Sequence, residues 1–211
     1  MNCIEQATRI LRKPIGWIEL DLTIDLEVWK KESQSIREHL VEHREGEGHS
    51  NWRSCCLHGL GIDVTGTNDS APMDHYHWTK LTKLCPTITA FWKSFPTERF
   101  ARLRFMELGA GGFIDPHCDA PNGVRNTDMD MMDYIIPINV AITHPTECYM
   151  ELEQYGRVPW SEGKMFVVNI TDTHSVSNPS TQPRMHMIAH CVIGNKKTEF
   201  SELIVRSHGK N

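Results

Sequence analysis

Residues 160–191 read WSEGKMFVVNITDTHSVSNPSTQPRMHMIAHC and contain two apolar runs, KMFVVNI at 164–170 and RMHMIAHC at 184–191. Asn, Asp, Ser, Thr and Pro dominate the stretch between them. Short apolar runs bounded by turn-forming residues are typical of β-strands. The stretch therefore predicts two neighbouring strands joined by a polar turn, with His174 near the end of the first and Arg184 on the second.

The same pattern extends to the N-terminal side of this stretch. Further strand-like runs are RFARLRFMEL at 99–108, DYIIPINVAI at 133–142 and ECYMELEQY at 147–155. Clusters of Gly, Pro, Asn and Asp separate them. Closely spaced strands after a helical N-terminal region favour an antiparallel double sheet of jelly-roll type, with helices packed on one face.

The N-terminal half mixes helical and strand patterns. Apolar residues alternate with polar ones over 15–25, which predicts an edge strand. Residues 25–43 place apolar side chains on one helical face, and a second helical region spans 78–95. Pro86 fits the first position of a new helix better than a helix interior. Between these regions, 55–64 is the one apolar piece and predicts a strand between loops.

Charge and cysteine content exclude several classes of protein. The chain has 22 basic and 27 acidic residues, for a net charge of −5, so no basic surface for nucleic acid is expected. Its 7 cysteines are odd in number and irregularly spaced, and no apolar leader follows Met1. These features predict free thiols and a cytoplasmic protein. No run approaches the roughly 20 apolar residues of a membrane span.

A possible metal site lies in GGFIDPHCDAPNG, residues 111–123. Residues two apart on an extended strand project to the same side, so His117 and Asp119 could chelate one ion. The plainer alternative is a turn in which the aspartate caps its own backbone. His174 is the candidate third ligand. Two histidines and one carboxylate form the set that non-haem Fe(II) oxygenases use.

Arg184 follows His174 on the next predicted strand, so a hairpin can bring its guanidinium close to the metal site. A planar cation in an otherwise apolar strand suits two-point binding of a carboxylate. A surface ion pair is the alternative for this arginine. His186 is two residues further and shares the same side of the strand, where it either lines the pocket or makes a structural hydrogen bond.

Taken together, these motifs resemble the aspartyl/asparaginyl β-hydroxylase family of Fe(II)/2-oxoglutarate-dependent oxygenases. The likeness covers residues 99–193 and rests on RLRFMELGAGGFIDPHCDAPNG, YIIPINVAI and the stretch quoted first. The resemblance implies a double-stranded β-helix, also called a cupin-like jelly roll. It also implies iron held by His117, Asp119 and His174, with Arg184 binding 2-oxoglutarate. Hydroxylation of an amino acid, free or in a peptide, is then expected, with dioxygen consumed and succinate and CO2 released.

One departure from the family concerns the metal-side end of 2-oxoglutarate. Family members often carry a basic residue and a histidine on the strand after the first metal histidine, where this chain has Asp133 and Ile135. Arg125, just past the His-x-Asp turn, and Arg104, on the preceding strand, are the alternatives for that contact.

We expect a single oxygenase domain over residues 1–211. Residues 1–98 would supply N-terminal strands and supporting helices, 99–193 the metal-binding β-helix core, and 194–211 a polar peripheral tail. The expected partners are a small-molecule or peptidyl amino-acid substrate, with no nucleic acid and no membrane.

Two rival interpretations use the same residues or a second cluster. The first is a non-catalytic β-helix module that binds a metal or ligand without turnover. The second is a zinc site, for which the candidates are Cys55, Cys56, His58, His75 and His77. Adjacent cysteines point to opposite faces of a strand, which disfavours one tetrahedral site using both.

Overall fold

The computed structural model describes residues 2–43, 48–66, 71–119 and 135–209. Its strands in chain order are β1 (Trp17–Glu19), β2 (Val41–Glu42), β3 (His49–Gly59), β4 (His77–Trp78), β5 (Arg99–His117), β6 (Ile135–Thr143), β7 (Tyr149–Leu152), β8 (Gly156–Arg157), β9 (Met165–Val168), β10 (His174–Ser177) and β11 (Arg184–Val192). Its helices are α1 (Cys3–Leu11), α2 (Leu26–Ser35), α3 (Pro86–Ser94) and α4 (Lys197–His208). Short 3-10 turns lie at Arg37–His39, Met73–His75, Lys80–Lys83 and Gly194–Lys196.

The described strands pair in the order β1-β9-β6-β11-β5-β10-β7-β8, and β3 also pairs with β5. Every one of these pairings is antiparallel. The sheet is curled into a half-barrel with few helices, and this confirms the predicted β-helix of jelly-roll type.

Strand β5 takes part in both halves of the curled sheet. Its residues 99–108 pair with β11, whereas its residues 113–117 pair with β10. The strand changes direction between these segments at Gly111, which has φ +68°, a conformation that favours glycine. A Cβ on Gly112 would lie 2.8 Å from the carbonyl oxygen of Gly109, so a larger residue does not fit there. The two glycines therefore permit the bend that brings the end of β5 beside β10.

Asn178 ties this bend to the turn between β10 and β11. Its side-chain amide donates to the carbonyls of Leu108 and Gly109, each at 3.0 Å, and to that of Gln182 at 2.8 Å. The Asn178 backbone N–H donates to Gly112, and the whole residue is buried. Asn178 therefore connects three segments of the chain.

Strand β11 separates the two buried regions of the fold. Met185, Met187, Ala189 and Cys191 belong to the larger apolar cluster, which also includes residues of the helices. Since side chains alternate between the faces of a strand, Arg184 and His186 project to the opposite face, inside the curl. A smaller apolar cluster of β5, β7, β9 and β10 residues lies in that interior. The polar face of β11 is thus the face that looks toward the candidate site.

Helix α4 corrects one expectation from the sequence. Residues 194–211 were expected to form a polar peripheral tail, but Lys197–His208 is a helix that packs against α1 and β1. Phe200, Leu203 and Ile204 are buried in the larger apolar cluster. The error arose because these apolar residues are spaced among many polar ones, and only their helical spacing places them on one face.

The remaining N-terminal predictions are largely confirmed. Strand β1 lies at the edge of the sheet, and Pro86 is the first residue of α3. The helix expected over 25–43 ends at Ser35, and the strand expected at 55–64 is β3, which ends at Gly59. Helix α1 was not predicted. All 7 cysteines are free, as expected.

In the described part of the chain, no helix has both the length and the apolar character needed to cross a lipid bilayer.

Helices α2 and α3 are joined by a buried carboxylate. Glu32 of α2 accepts hydrogen bonds from the backbone N–H groups of Thr87 and Ile88, each at 2.9 Å, in the first turn of α3. A carboxylate at a helix N-terminus satisfies free N–H groups and interacts favourably with the helix dipole. Glu32 therefore acts as a cap supplied by another helix.

We predict that Glu32→Ala lowers the free energy of unfolding by about 1–3 kcal/mol, because it leaves the N–H groups of Thr87 and Ile88 without their acceptor. Urea denaturation of both proteins gives this difference. Glu27→Ala on the exposed side of the same helix is the matched control, and it should change stability by less than about 0.5 kcal/mol. Equal effects of the two substitutions would contradict the role of Glu32.

Candidate metal centre

The two predicted metal histidines are brought together by strand pairing. His174, the first residue of β10, lies directly opposite His117, the last residue of β5. Their ring centroids are 4.4 Å apart. The bend in β5 lets its end pair with β10. The register of that pairing then sets the separation of the two imidazoles.

The tautomer of each imidazole follows from its hydrogen bond to the backbone. Nδ1 of His117 lies 2.8 Å from the carbonyl oxygen of Asp115, and Nδ1 of His174 lies 3.0 Å from that of Asp172. A carbonyl oxygen only accepts, so both Nδ1 atoms carry the proton. Each Nε2 is left with a free lone pair. This is the arrangement in which a second hydrogen bond orients a metal-binding imidazole.

Asp119 supplies a carboxylate beside both Nε2 atoms. Its Oδ1 is 3.5 Å from Nε2 of His117, and its Oδ2 is 4.0 Å from Nε2 of His174. The Asp119 backbone N–H donates to the carbonyl of Ile170, which holds the bend after β5. Among the described residues, these three form the one His, Cys, Asp and Glu group whose ligand atoms converge, all within 4.8 Å of one another.

This donor set fits a divalent transition-metal ion. Two neutral imidazole nitrogens and one carboxylate leave further coordination positions open. Burial lowers the pKa of His174, with a further contribution from His117, so His174 remains neutral near neutral pH. A neutral imidazole is the form that binds a metal. His174 is buried, whereas His117 and Asp119 are partly exposed.

Arg184 lines the same cavity as these three residues. The residue is 5% exposed, and its Nε has no hydrogen-bond partner in the described part of the chain. No carboxylate of the described residues pairs with it, and this burial is inconsistent with the alternative of a surface ion pair. A buried cation without a counter-charge is unfavourable unless an anion joins it. The cavity therefore fits a ligand that carries a carboxylate.

Three further residues were predicted to contact the co-substrate, and one of them, Arg104, lies at the cavity. Arg104 also lines the cavity, and its Nη1 donates to the carbonyl of Thr65 at 2.6 Å. His186 shares a face of β11 with Arg184 but is not among the described residues that line the cavity. It follows the hydrogen-bonding alternative instead. Arg125 lies outside the described residues.

Several cavity residues were not singled out from the sequence. His43, Asn139 and His190 line the cavity. His190 continues the alternation of Arg184 and His186 along β11, so the period of two could have identified it. His43 comes from a distant segment after β2, and nothing in its local sequence signals this position. Trp52 of β3 also lines the cavity.

The rival zinc set is not assembled. Cys55, Cys56, His58, His75 and His77 are all described, and they do not form a group with converging ligand atoms. Cys56 donates instead to the carbonyl of Val64, and His58 packs against Trp78. Burial lowers the pKa of His58 to about 4. Cys56 and His58 thus make ordinary hydrogen-bond and packing contacts.

Comparisons with known proteins concern the family and the fold. A sequence profile described as aspartyl/asparaginyl β-hydroxylase matches residues 21–192. A search of curated protein sequences returned no significant match.

Solved structures with a similar fold include two prolyl hydroxylases and an alpha ketoglutarate dependent epimerase, all at low sequence identity. A prolyl hydroxylase from Trichoplax adhaerens, in complex with a peptide fragment of hypoxia inducible factor, has TM-score 0.54 and 7% identity, covering 94% of each chain. The non-heme alpha ketoglutarate dependent epimerase SnoN from nogalamycin biosynthesis has TM-score 0.52 and 17% identity, covering 88% of this chain and 80% of that one. The viral collagen prolyl hydroxylase of Paramecium bursaria Chlorella virus-1 has TM-score 0.50 and 10% identity, covering 83% and 95%. These likenesses concern the fold.

We predict that His174→Ala weakens binding of Mn(II) or Co(II) by at least about 100-fold, because it removes one of three ligands. Isothermal titration calorimetry measures this loss. His77→Ala is the control, since Nδ1 of His77 has the same kind of bond to the carbonyl two residues earlier but lies outside the cluster. Unchanged metal affinity in His174→Ala would rule out this site.

Proposed function

The chain belongs to the aspartyl/asparaginyl β-hydroxylase family, whose profile spans residues 21–192, and on this premise we propose that it is an Fe(II)- and 2-oxoglutarate-dependent dioxygenase. Its proposed reaction is hydroxylation of an amino acid, free or within a peptide. The observation that carries the proposal is the convergence of His117, Asp119 and His174 in a cavity that is also lined by Arg184, a buried arginine with no carboxylate partner among the described residues.

The proposed iron ligands are His117, Asp119 and His174. When bound, iron supplies dioxygen activation, in which one oxygen atom enters a substrate C–H bond and the other enters succinate as 2-oxoglutarate loses CO2. The backbone carbonyls of Asp115 and Asp172 hold the protons on Nδ1 of the two histidines. The side chains thus present Nε2 lone pairs in a fixed direction before any ligand arrives.

Arg184 is the proposed partner of the distal carboxylate of 2-oxoglutarate. Two of its properties support this role: its burial and its Nε, which lacks a partner in the described part of the chain. A guanidinium stays charged even when it is buried, and its two-point hydrogen bonding matches the geometry of a carboxylate. Asp119 is the one acidic side chain among the described residues that line the cavity, so these residues offer little charge repulsion to an anionic ligand.

Arg104 is the proposed contact for the second anionic group in the cavity. It comes from β5 and is positively charged, and its place in the cavity lining supports a contact with the metal-side carboxylate of 2-oxoglutarate or with the substrate. Arg125 remains an alternative from the sequence. Apolar side chains complete the walls, among them Met106, Ile114 and Met150. They exclude water from the place where the C–H bond reacts.

We predict that Arg184→Ala raises the KM for 2-oxoglutarate by roughly 30-fold or more, because truncating one partner of a buried ionic contact costs several kcal/mol. The rate at saturating co-substrate should fall much less. Succinate formation measured against 2-oxoglutarate concentration separates the two parameters. Arg157→Ala, which removes an exposed arginine stacked on Tyr149, should leave both unchanged. An unaltered KM in Arg184→Ala would contradict the assignment.

We predict that a screen of free amino acids and short peptides will identify compounds that stimulate succinate formation by the wild-type protein. Mass spectrometry should then show a gain of one oxygen atom in the substrate. His174→Ala should form no succinate with the same compounds.

Unchanged succinate formation by His174→Ala would contradict the proposed site. Anaerobic addition of Fe(II) and 2-oxoglutarate supplies a test that does not need a substrate. A weak visible charge-transfer band is expected if both bind at one centre. A band without any turnover across the screen would favour the non-catalytic binding module.

A further inference from the structure

A hydrogen-bonded chain of two imidazoles, the buried His186 and the partly buried His144, starts at Arg184 and runs away from the cavity. Nη2 of Arg184 is 2.8 Å from Nδ1 of His186, and Nε2 of His186 is 3.0 Å from Nδ1 of His144. Nε2 of His144 is in turn 2.9 Å from the carbonyl oxygen of Cys148. The contacts thus run from the cavity arginine through β11 to the segment between β6 and β7.

The proton positions in this chain are determined from its far end. The carbonyl of Cys148 only accepts, so His144 donates through Nε2 and, when neutral, accepts at Nδ1. His186 must then donate through its own Nε2, which leaves Nδ1 to accept from Arg184. One tautomer at each histidine satisfies every contact. The opposite tautomer of His186 would face a guanidinium N–H with another N–H.

The surroundings hold both rings in place. His186 is fully buried, and the ring of Trp160 lies edge-on to it, with centroids 4.7 Å apart. The ring of Phe166 packs edge-on against Trp160, with centroids 4.6 Å apart. The backbone N–H of His144 donates to Glu162, which fixes the start of the segment that carries it. Neither imidazole can rotate without breaking these contacts.

Charge also favours the neutral form of both rings. Burial lowers the pKa of His186 well below its usual value, and the nearby Arg184 lowers it further. Burial, followed by the same guanidinium, lowers the pKa of His144 to about 4. The positive charge of the group therefore stays on Arg184, where it faces the cavity.

We infer that His186 and His144 are positioning residues, which orient the guanidinium of Arg184 so that its remaining N–H groups point to an incoming carboxylate. The chain of hydrogen bonds holds Nη2 on the side away from the cavity, and Nε remains available to the ligand. An arginine side chain has several rotatable bonds, and holding it in advance lowers the entropy lost on binding. The inference rests on the proposed function for the identity of the carboxylate as that of 2-oxoglutarate.

The hydrogen-bond chain is tested first without any ligand. Two-bond nitrogen–proton correlation NMR of the full-length protein, with 15N-labelled histidine, reports which ring nitrogen carries the proton. Signals of His144 and His186, assigned by loss in single variants, should show Nε2 protonated and Nδ1 unprotonated. A proton on Nδ1 of His186, or a charged His186 ring at neutral pH, would overturn the inference.

The matched pair His186→Asn and His186→Leu tests positioning. The two replacements have similar shapes, but the Asn oxygen can accept from Arg184 near the position of Nδ1, whereas Leu cannot. With the Mn(II)-loaded protein, we expect His186→Leu to weaken 2-oxoglutarate binding roughly 10- to 100-fold, the effect of losing a hydrogen bond to a charged group. His186→Asn should recover most of this affinity.

A second ligand separates this effect from damage to the metal site. Binding of 2-oxobutyrate, which has the same 2-oxo acid end and no second carboxylate, should be unchanged in both variants. If a variant lost affinity equally for both ligands, or if His186→Leu and His186→Asn lost equal affinity for 2-oxoglutarate, the positioning role would be contradicted and the proposed function would not. Failure of the wild-type protein to bind 2-oxoglutarate while it binds Mn(II) would instead contradict the proposed function.

Discussion

The pairing of β5 with β10 is the contact on which the candidate site depends. It sets His117 opposite His174, and it exists because β5 leaves one half of the curled sheet and enters the other. Glycines permit the change of direction, and Asn178 holds it through hydrogen bonds to the backbone on both sides. A site assembled on paired strands is held more rigidly than one assembled on loops, because the register is set by many hydrogen bonds.

The interior of the curled sheet contains a buried positive charge, that of Arg184. Burying Arg184 without an acidic partner among the described residues opposes folding, since a cation loses its hydration there. A carboxylate ligand would offset that cost, which links the stability of this region to ligand binding. The neutral imidazoles of His186 and His144 supply a hydrogen-bond acceptor for one N–H group of the guanidinium without neutralising its charge. An acidic residue in that position would compete with the ligand.

The helices support this arrangement from the other face of the sheet. Met185, Met187 and Ala189 of β11 pack into the larger apolar cluster, so the strand that carries Arg184 is fixed from behind. Helix α4 contributes Phe200 and Ile204 to the same cluster, and Glu32 joins α2 to α3. The position of Arg184 is thus determined by apolar packing on one face of β11 and by hydrogen bonds on the other face.

The sequence alone was sufficient for most of the longer strands, the fold class and the choice of His117, Asp119, His174 and Arg184 as candidates. It was wrong about the strand that carries His174: this residue begins the separate strand β10, which pairs with β5 and β7, whereas β11 with Arg184 pairs with β5 and β6. Alternation and turn residues are local properties, and the family motifs are contiguous, so both can be read without coordinates. The grouping of these side chains in one cavity agrees with that choice, while ligation itself stays a prediction.

Only the tertiary structure decided the roles of His144, His43 and helix α4. His144 contacts His186, which lies 42 residues later in the chain, and His43 enters the cavity from the N-terminal half. Such contacts depend on strand register and on the bend in β5, and neither is encoded in the spacing of neighbouring residues. The tail appeared polar because burial of one helix face depends on the partner that covers it. Local pattern determines which side chains share a face, whereas the distance between faces is set by the whole fold.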